Sequence, residues 1–425
     1  MTVLVLHRNP LEPFPYDQWL RDYPGDVVVL AARDRLELFG ETVPDDDLGY
    51  RRLEFLNTFD DQESLRRRAS SLAAEFAVET VIAHHEADVD LAAGLRQAHG
   101  LAGAWPSDTA PFRDKATMKA RLRVAGIETA SYTVPRVAAE ARAFAELHGF
   151  PLVSKHRHGY NAIGLRILDD PDALEQHLSA AWPEPGSVRD DLLLETYVPG
   201  RMCHVDGLVV DGRMVLGWPS QYQYDLASFG TDAGSRVDVA LDTDDPLNKR
   251  LLDLTEGALA ALRPERSRLR DHAFHAEIFH TPDDRLVVCE IAARPAGAKV
   301  REVLAAMFGV NLGEYATRAQ AGLPLPGLEE AVAGGPRPVP TRMAGQVLMM
   351  KRPGLVRQVP QAPQEDWLEH FWVYARPGQL LDPASGSSDF LVAAVASAPE
   401  RTECERRLRL LGARFEAQTE IVVPA

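Results

Sequence analysis

The stretch HAEIFHTPDDRLVVCEIAARP, His275 to Pro295, sets two glutamates inside apolar runs where valine or isoleucine would serve a sheet better. Thr-Pro-Asp-Asp separates two strand-like runs. Proline and aspartate form turns for distinct reasons, a fixed φ and a side chain that bonds its own backbone. A turn centred on Asp283 and Asp284 pairs His280 with Val287 and, counting outward, Glu277 with Glu290. Carbons so opposed lie roughly 5 Å apart, where like charges destabilise a sheet. A divalent cation between them removes that penalty, and an oxygen-only ligand pair suits a hard ion such as magnesium. Alternation along the strand puts Glu290, Ala292 and Arg294 on one face. A guanidinium beside two metal-binding carboxylates suits stabilisation of charge moving on a phosphoryl group. The plain alternative is an edge hairpin whose acids and arginine neutralise one another.

The rest of the chain narrows the choice. Its 425 residues are enough for two or three domains with real cores, and 45% hydrophobic with 25% charged residues is ordinary globular composition. A net charge of -16 argues against a nucleic-acid or anionic-membrane partner. The N-terminal apolar run is too short for a signal peptide, and no run approaches the ~20 apolar residues of a membrane span. Cys203, Cys289 and Cys404 are scattered and make no metal or redox spacing, so the chain reads as cytoplasmic and reduced. Only six of the 46 basic residues are lysine (Lys115, Lys119, Lys155, Lys249, Lys299 and Lys351). A chain that writes its cations as arginine has lysine left for places that need a compact ammonium, such as phosphate contact; chance is the alternative for any one of them.

The runs TVLVL, DVVVLAA and ETVIAHH read as buried strands of an α/β unit, and DVDLAAGLRQAHG as a helix capped by aspartate and closed by Gly100. FRDKATMKARLRVAG reads as one helix from Phe112 to Gly126, and RVAAEARAFAELHG as another. FPLVSKH is a strand carrying Lys155, followed by the loop RHGYNAIG and the strand LRIL. DLLLETYVPG is a strand ending in a proline-glycine break, and HVDGLVVDGRMVLG a hairpin turned at Asp211-Gly212. After the opening hairpin, AAMFGVNLGEYATRAQAG is helical, PLPGLEEAVAGGPRPVPT is a surface crossing, and short strands with one helix complete the chain.

Five blocks in this order, RDKATMKARLRVAGI, GFPLVSKH, LLLETYVPG, VDGLVVDGRMV and FHAEIFHTPDDRLVVCEIAARP, resemble the ATP-grasp superfamily, in particular its carboxylate–amine ligases that join amino acids into dipeptides. The resemblance covers Val81 to Leu323 well and the ends loosely. It implies an α/β (α+β) architecture: an N-terminal Rossmann-like unit at 1–108, ATP-grasp lobes at 109–322 with a lid at about 127–197, and a small C-terminal α+β lobe at 323–425. It matches Lys115 and Lys155 to phosphate-contacting lysines. Glu195 with the backbones of Tyr197 and Val198 matches the adenine hinge, and Gly159 and Gly164 belong to the loop that covers the triphosphate. Glu277 and Glu290 match magnesium ligands, with manganese as the alternative ion. Arg294 matches the arginine that steadies the phosphoryl group, and Gly297 lies in the segment that follows it.

Three departures stand out. Met202 follows the hinge where relatives often have a ribose-binding acid. The covering loop keeps only Gly159 and Gly164, so fewer positions reach unusual dihedrals cheaply. Ala292 stands where many relatives have a metal-binding asparagine, with His275 across from it; water fills the gap, or His275 is simply packed and hydrogen-bonded.

The resemblance implies an ATP-dependent, ADP-forming ligase of amino-acid-like acid and amine substrates, acting through an acyl phosphate, and is compatible with a homodimer. The alternatives are other ATP-grasp chemistry (carboxylation or nucleotide-pathway ligation) and a nucleotide-binding regulator without turnover, which Met202 and Ala292 favour. His84, His85 and Glu86 at a strand end, and Ser220 to Arg236, are the candidates for substrate contact, together with Arg294 and Gly297. A satisfied surface cluster is the plain reading of the first group.

Overall fold

Thr2–His7, Asp26–Ala32 and Thr80–Ala83 form strands, as unbroken apolar runs require where both sheet faces are covered. A fourth strand, Arg52–Leu56, was not legible, because it is short and partly charged. It lies at the edge of an all-parallel sheet whose order is 52–56, 26–32, 2–7, 80–83. This is a computed structural model, and it describes residues 1–423 apart from 185, 226–227, 229–233 and 265.

His7 closes the first strand fully buried, with Nδ1 3.0 Å from Tyr16 Oη and Nε2 3.0 Å from the Pro10 carbonyl. Burial pushes its pKa down to about 4, the Pro10 carbonyl opposing and Arg301 adding to the shift. The unfolded chain takes up this proton near pH 6.5, while the native state refuses it until about 4. Stability is therefore unaffected above about pH 6.5 and falls as pH drops from there towards 4. The loss should be on the order of 2 kcal/mol by about pH 5. His7→Gln should flatten that acid limb in thermal melts across the same range.

The single helix expected from Phe112 to Gly126 is two, Pro106–Arg113 and Lys115–Val124. Asp114 breaks it, because its carboxylate accepts from the Ala116 N–H and so caps a new helix. Arg157 grips the same carboxylate at 2.9 and 2.6 Å. The break makes Lys115 the first residue of a helix at the edge of the cleft described below. The expected later helix also divides, into Val300–Phe308 and Leu312–Gln320. Gly309 (φ +70°) ends the first, and Asn311 caps the second.

A four-stranded sheet, ordered 132–133, 192–196, 152–156, 166–168, carries helices Ala138–His148 and Pro171–Ala181 over a small core of its own. The largest sheet has eight strands, in the order Leu286–Ala292, His272–His280, Arg201–Val210, Arg213–Tyr222, Ser235–Ala240, Met343–Met350, Phe390–Ala398, Leu368–Val373. Apolar cores lie against it, one under the helices spanning 300–320 and another under Lys115–Val124 and Pro246–Leu262. The last three of these strands come from the segment beyond 323, so that segment extends the central sheet. It also holds a three-stranded sheet and helix Arg401–Gln418. Among the described residues no helix is long and apolar enough to cross a membrane.

Candidate active site

A cleft of about 1190 Å³ opens between the N-terminal unit, the four-stranded sheet and the edge of the eight-stranded sheet. It exceeds the roughly 300–1,000 Å³ typical of one small-molecule site and has room for more than one ligand. Lys115, Lys155, Gly159, Glu195, Tyr197, Val198, Glu277, Glu290, Arg294 and Gln346 all line it, as do Glu86 and Gly297.

Glu277 pairs with Glu290, and His275 with Ala292, as the turn arithmetic predicts. Nearer the turn the register differs. His280 faces Leu286 instead of Val287, because the reversal is tighter and Asp284 takes a left-handed φ of +62°. A bulge at Cys289 restores the count, so the glutamates oppose each other for a reason that the turn alone does not supply. Bulges re-aim side chains, and here Cys289 and Glu290 both reach the cleft.

The two carboxylates share one face, and their oxygens fit a hard divalent ion. Lys115 Nζ stands 3.1 Å from Glu290 and His275 Nε2 3.6 Å from Glu277. Burial would raise the pKa of Glu290, but Lys115 and Lys155 pull it down to about 2, so it is ionised at neutral pH.

Four of the six lysines, Lys115, Lys119, Lys155 and Lys299, are buried, and all of these but Lys119 line this cleft. Lys155 and Lys119 both grip Glu195, at 2.5 and 3.1 Å. Burial opposes the charge on Lys155, yet Cys289, Glu195 and Glu290 together hold it above the ordinary lysine value. The Glu195 carboxylate thus positions Lys155, with its charge shared between two lysines. The Tyr197 N–H is taken by the Pro151 carbonyl at 3.2 Å, while the Val198 N–H has no hydrogen-bond partner among the described residues. Met202, in the place of the expected ribose acid, is buried in the cleft wall.

The covering loop solves its shortage of glycine in an unexpected way. Gly164 takes a φ of +74°, but Gly159 does not need the left-handed region; Asn161 and Ala162 enter it instead, at +58° and +54°. The loop is tied down on three sides. Lys115 Nζ donates to the Gly159 carbonyl at 2.6 Å, Tyr160 packs edge-on against His85, and Asn161 Oδ1 accepts from Ser387 Oγ and the Ser388 N–H, both at 2.8 Å. Asn161→Gly keeps the backbone conformation and removes both side-chain bonds of the last tie, leaving the Ser387 N–H on the Asn161 carbonyl at 3.2 Å. Two hydrogen bonds at about 1 kcal/mol each should raise the KM for ATP about 3–10-fold with little change in kcat. Steady-state kinetics would measure it.

His84, His85 and Glu86 are not a solvated surface cluster. Glu86 is buried and clamped between Arg113 and Arg294. Burial alone would raise its pKa, but the two guanidinium groups hold it below the ordinary glutamate value. His84 reaches across to Thr317 Oγ1 at 2.7 Å. Glu86 therefore orients Arg294 and has little charge left to offer a substrate. Gly297 lies just beyond; a Cβ there would meet nothing within 4 Å, so the missing side chain leaves the cleft open. Of Ser220 to Arg236, Tyr222, Gln223, Tyr224 and Asp225 line the cleft, and the segment's centre lies outside the described residues.

A buried polar chain was not legible in the sequence. His275 Nδ1 meets Asp206 at 2.9 Å, Asp206 meets His204 Nδ1 at 2.5 Å, and His204 Nε2 meets Asp238 at 3.0 Å. Gln346 then donates to Asp238 and accepts from the Lys299 N–H, both at 2.8 Å. His275 is therefore a packed, hydrogen-bonded residue opposite Ala292. Burial disfavours its charge, but Asp206 and then Glu277 raise its pKa to about 9. His204, Asp206 and His275 could together hold a metal ion by position, but their atoms are spent on one another. Lys119 and Lys299 were missed as well, although the scarcity of lysine had marked them.

No protein-family model matches the chain. It is 26% identical over 223 residues to the L-arginine-specific L-amino acid ligase of Bacillus subtilis, a stretch that is 52% of each chain. The match thus spans about half the length of that relative. Over 100% of its length the chain superposes on 99% of an L-amino acid ligase from Bacillus licheniformis, with a TM-score of 0.76 and 19% identity. It also superposes on the biotin carboxylase domain of a Hydrogenobacter thermophilus 2-oxoglutarate carboxylase in complex with MgADP and bicarbonate, with a TM-score of 0.69 and 16% identity over 99% of this chain and 90% of that one. The paired glutamates, the two buried lysines and the covering loop are arranged around one cleft, and the chain is similar in part of its sequence and in its whole fold to L-amino acid ligases.

Proposed function

We propose that the protein is an ATP-dependent ligase that joins an amino-acid-like carboxylate to an amine, releasing ADP and phosphate. The observation that supports this most is the convergence of Lys115, Lys155, Glu277, Glu290 and Arg294 on one cleft with room for nucleotide and two substrates. A carboxylate resists amines because it is anionic and resonance-stabilised. In the proposed reaction its oxygen attacks the γ-phosphorus of ATP, the bond to ADP breaks, and an acyl phosphate forms. The amine lone pair then attacks the carbonyl carbon, phosphate departs with the C–O bond electrons, and the nitrogen loses a proton to solvent.

Each side chain has a task in that sequence. Lys155, braced by Glu195, and Lys115, at a helix start, meet phosphate oxygens. Arg294, oriented by Glu86, faces the oxygens on which charge develops. A magnesium or manganese ion held by Glu277 and Glu290 would neutralise phosphate charge when bound. The covering loop, tied at Asn161, keeps water from the acyl phosphate.

Hydroxylamine tests the reading. With ATP, magnesium and the acid substrate it should give a hydroxamate, together with ADP and phosphate. AMP and pyrophosphate would mean adenylation and overturn it. ADP release that needs bicarbonate and no amino acid would point to carboxylation.

A further inference from the structure

Beyond Arg294 the cleft runs to an end where cationic groups outnumber their partners. Lys299 is only 8% exposed, lines the cleft, and its ammonium makes no hydrogen bond or ion pair among the described residues. It rests instead over the faces of Trp372 (3.7 Å) and Tyr374 (5.4 Å). Arg301 is 9% exposed, stacks over Phe14 at 4.3 Å and leaves Nη1 buried without a partner; its nearest acid is Glu302, at 3.4 Å from Nη2.

Lys299 also precedes helix Val300–Phe308, whose N-terminus has no side-chain cap. The Lys299 N–H donates to Gln346 and the Val300 N–H to the Gly297 carbonyl at 3.5 Å, so the Arg301 and Glu302 amides are the ones left without a hydrogen-bond partner among the described residues, and the helix end carries partial positive charge. Two cations, one acid and an uncapped helix end leave this corner net positive. Burying an ammonium without an acceptor is costly, and an arriving anion removes the cost. Burial lowers the Lys299 ammonium to about 8, Glu302 opposing and Arg301 adding to the shift, so it still carries its charge at neutral pH.

We propose that Lys299, Arg301 and the N-terminus of helix Val300–Phe308, walled by Phe14 and Tyr374, form a subsite for a second carboxylate, one that is not phosphorylated. It rests on the ligase reading only for the naming of substrates. That carboxylate belongs either to the amine substrate, as its own α-carboxylate, or to the side chain of an acidic amino acid being activated. Substrates with a second carboxylate are then favoured over their carboxamides.

The test screens the twenty L-amino acids, pairwise, for ADP release, with the α-amide of each and with the Asp/Asn and Glu/Gln comparisons. Lys299→Met keeps length and apolar contact with Trp372 while removing the charge, and Arg301→Gln is the second variant. Each should raise the KM of one carboxylate-bearing substrate about 10–100-fold, with the KM for ATP unchanged. With the corresponding carboxamide, wild type and variants should be equal. Sensitivity to the α-amide assigns the carboxylate to the amine substrate; sensitivity to Asn or Gln assigns it to the acid.

A thermal-shift series with ADP, magnesium and the same compounds needs no turnover. At least one amino acid must stabilise the wild type more than its carboxamide does, and Lys299→Met must abolish that difference. A variant that retains it, or a wild type that never shows it, overturns the subsite. ADP release failing for every pair while the shift difference persists would instead remove the ligase reading and leave the subsite standing.

Discussion

Glu290→Gln should lower turnover by about 10²–10³-fold and abolish the dependence of nucleotide binding on magnesium. The side chain keeps its shape but loses the charge it presents to both an ion and Lys115. Lys115, 3.1 Å away, then has no counter-ion and is free to meet phosphate. ATP should therefore still stabilise the variant in the presence of a chelator, at least as well as it does the wild type, while the further gain on adding magnesium disappears. Thermal shifts with and without chelator separate the two effects, and a wild-type magnesium increment in the variant would remove Glu290 from the metal site. Combined with Arg294→Ala the loss should fall well short of additive, because both groups act on the same phosphoryl oxygens.

Lys155→Met should remove most of the ATP-induced thermal shift and also lower the melting temperature without ligand. The two losses have different origins. The first is a lost phosphate contact, and linkage makes it grow with ATP concentration. The second arises because Lys155 and Glu195 form a buried ion pair at 2.5 Å, and breaking such a pair typically costs about 3–5 kcal/mol. Lys119 still holds Glu195, which puts the expected cost at the lower end of that range. Lys155→Met combined with Glu195→Gln should restore much of the ligand-free stability and none of the ATP shift. Restoration of the ATP shift would mean that Lys155 serves only to neutralise Glu195.

The central fold was legible where the physics is local. Apolar runs gave the parallel strands, and the Asp211-Gly212 turn joins Arg201–Val210 to Arg213–Tyr222 with both turn residues at positive φ. What is not local did not show. Asp114 looks like a mid-helix residue until Arg157, 43 positions later, is seen to hold it out of the helix. The chain from His275 through Asp206, His204 and Asp238 to Gln346 draws on four strands, and no spacing within any one of them signals it. The pairing of Glu277 with Glu290 was read correctly through a turn whose geometry was slightly wrong, because the extra residue at Cys289 compensated.

The eight-stranded sheet runs unbroken from the glutamate hairpin to Phe390–Ala398 and beyond, so the C-terminal segment is not an interchangeable module. A recombinant carrying another protein's residues after about 323 would have to match the backbone register of Ser235–Ala240 against Met343–Met350, residue for residue, to close the sheet. It would also have to supply a glutamine at the position of Gln346 and hydroxyl and amide donors for Asn161. Chimeras are better cut at the two ends of Tyr132 to Thr196, a separate small sheet with its own core, keeping Lys155, Arg157, Asn161 and Glu195 for their partners outside it.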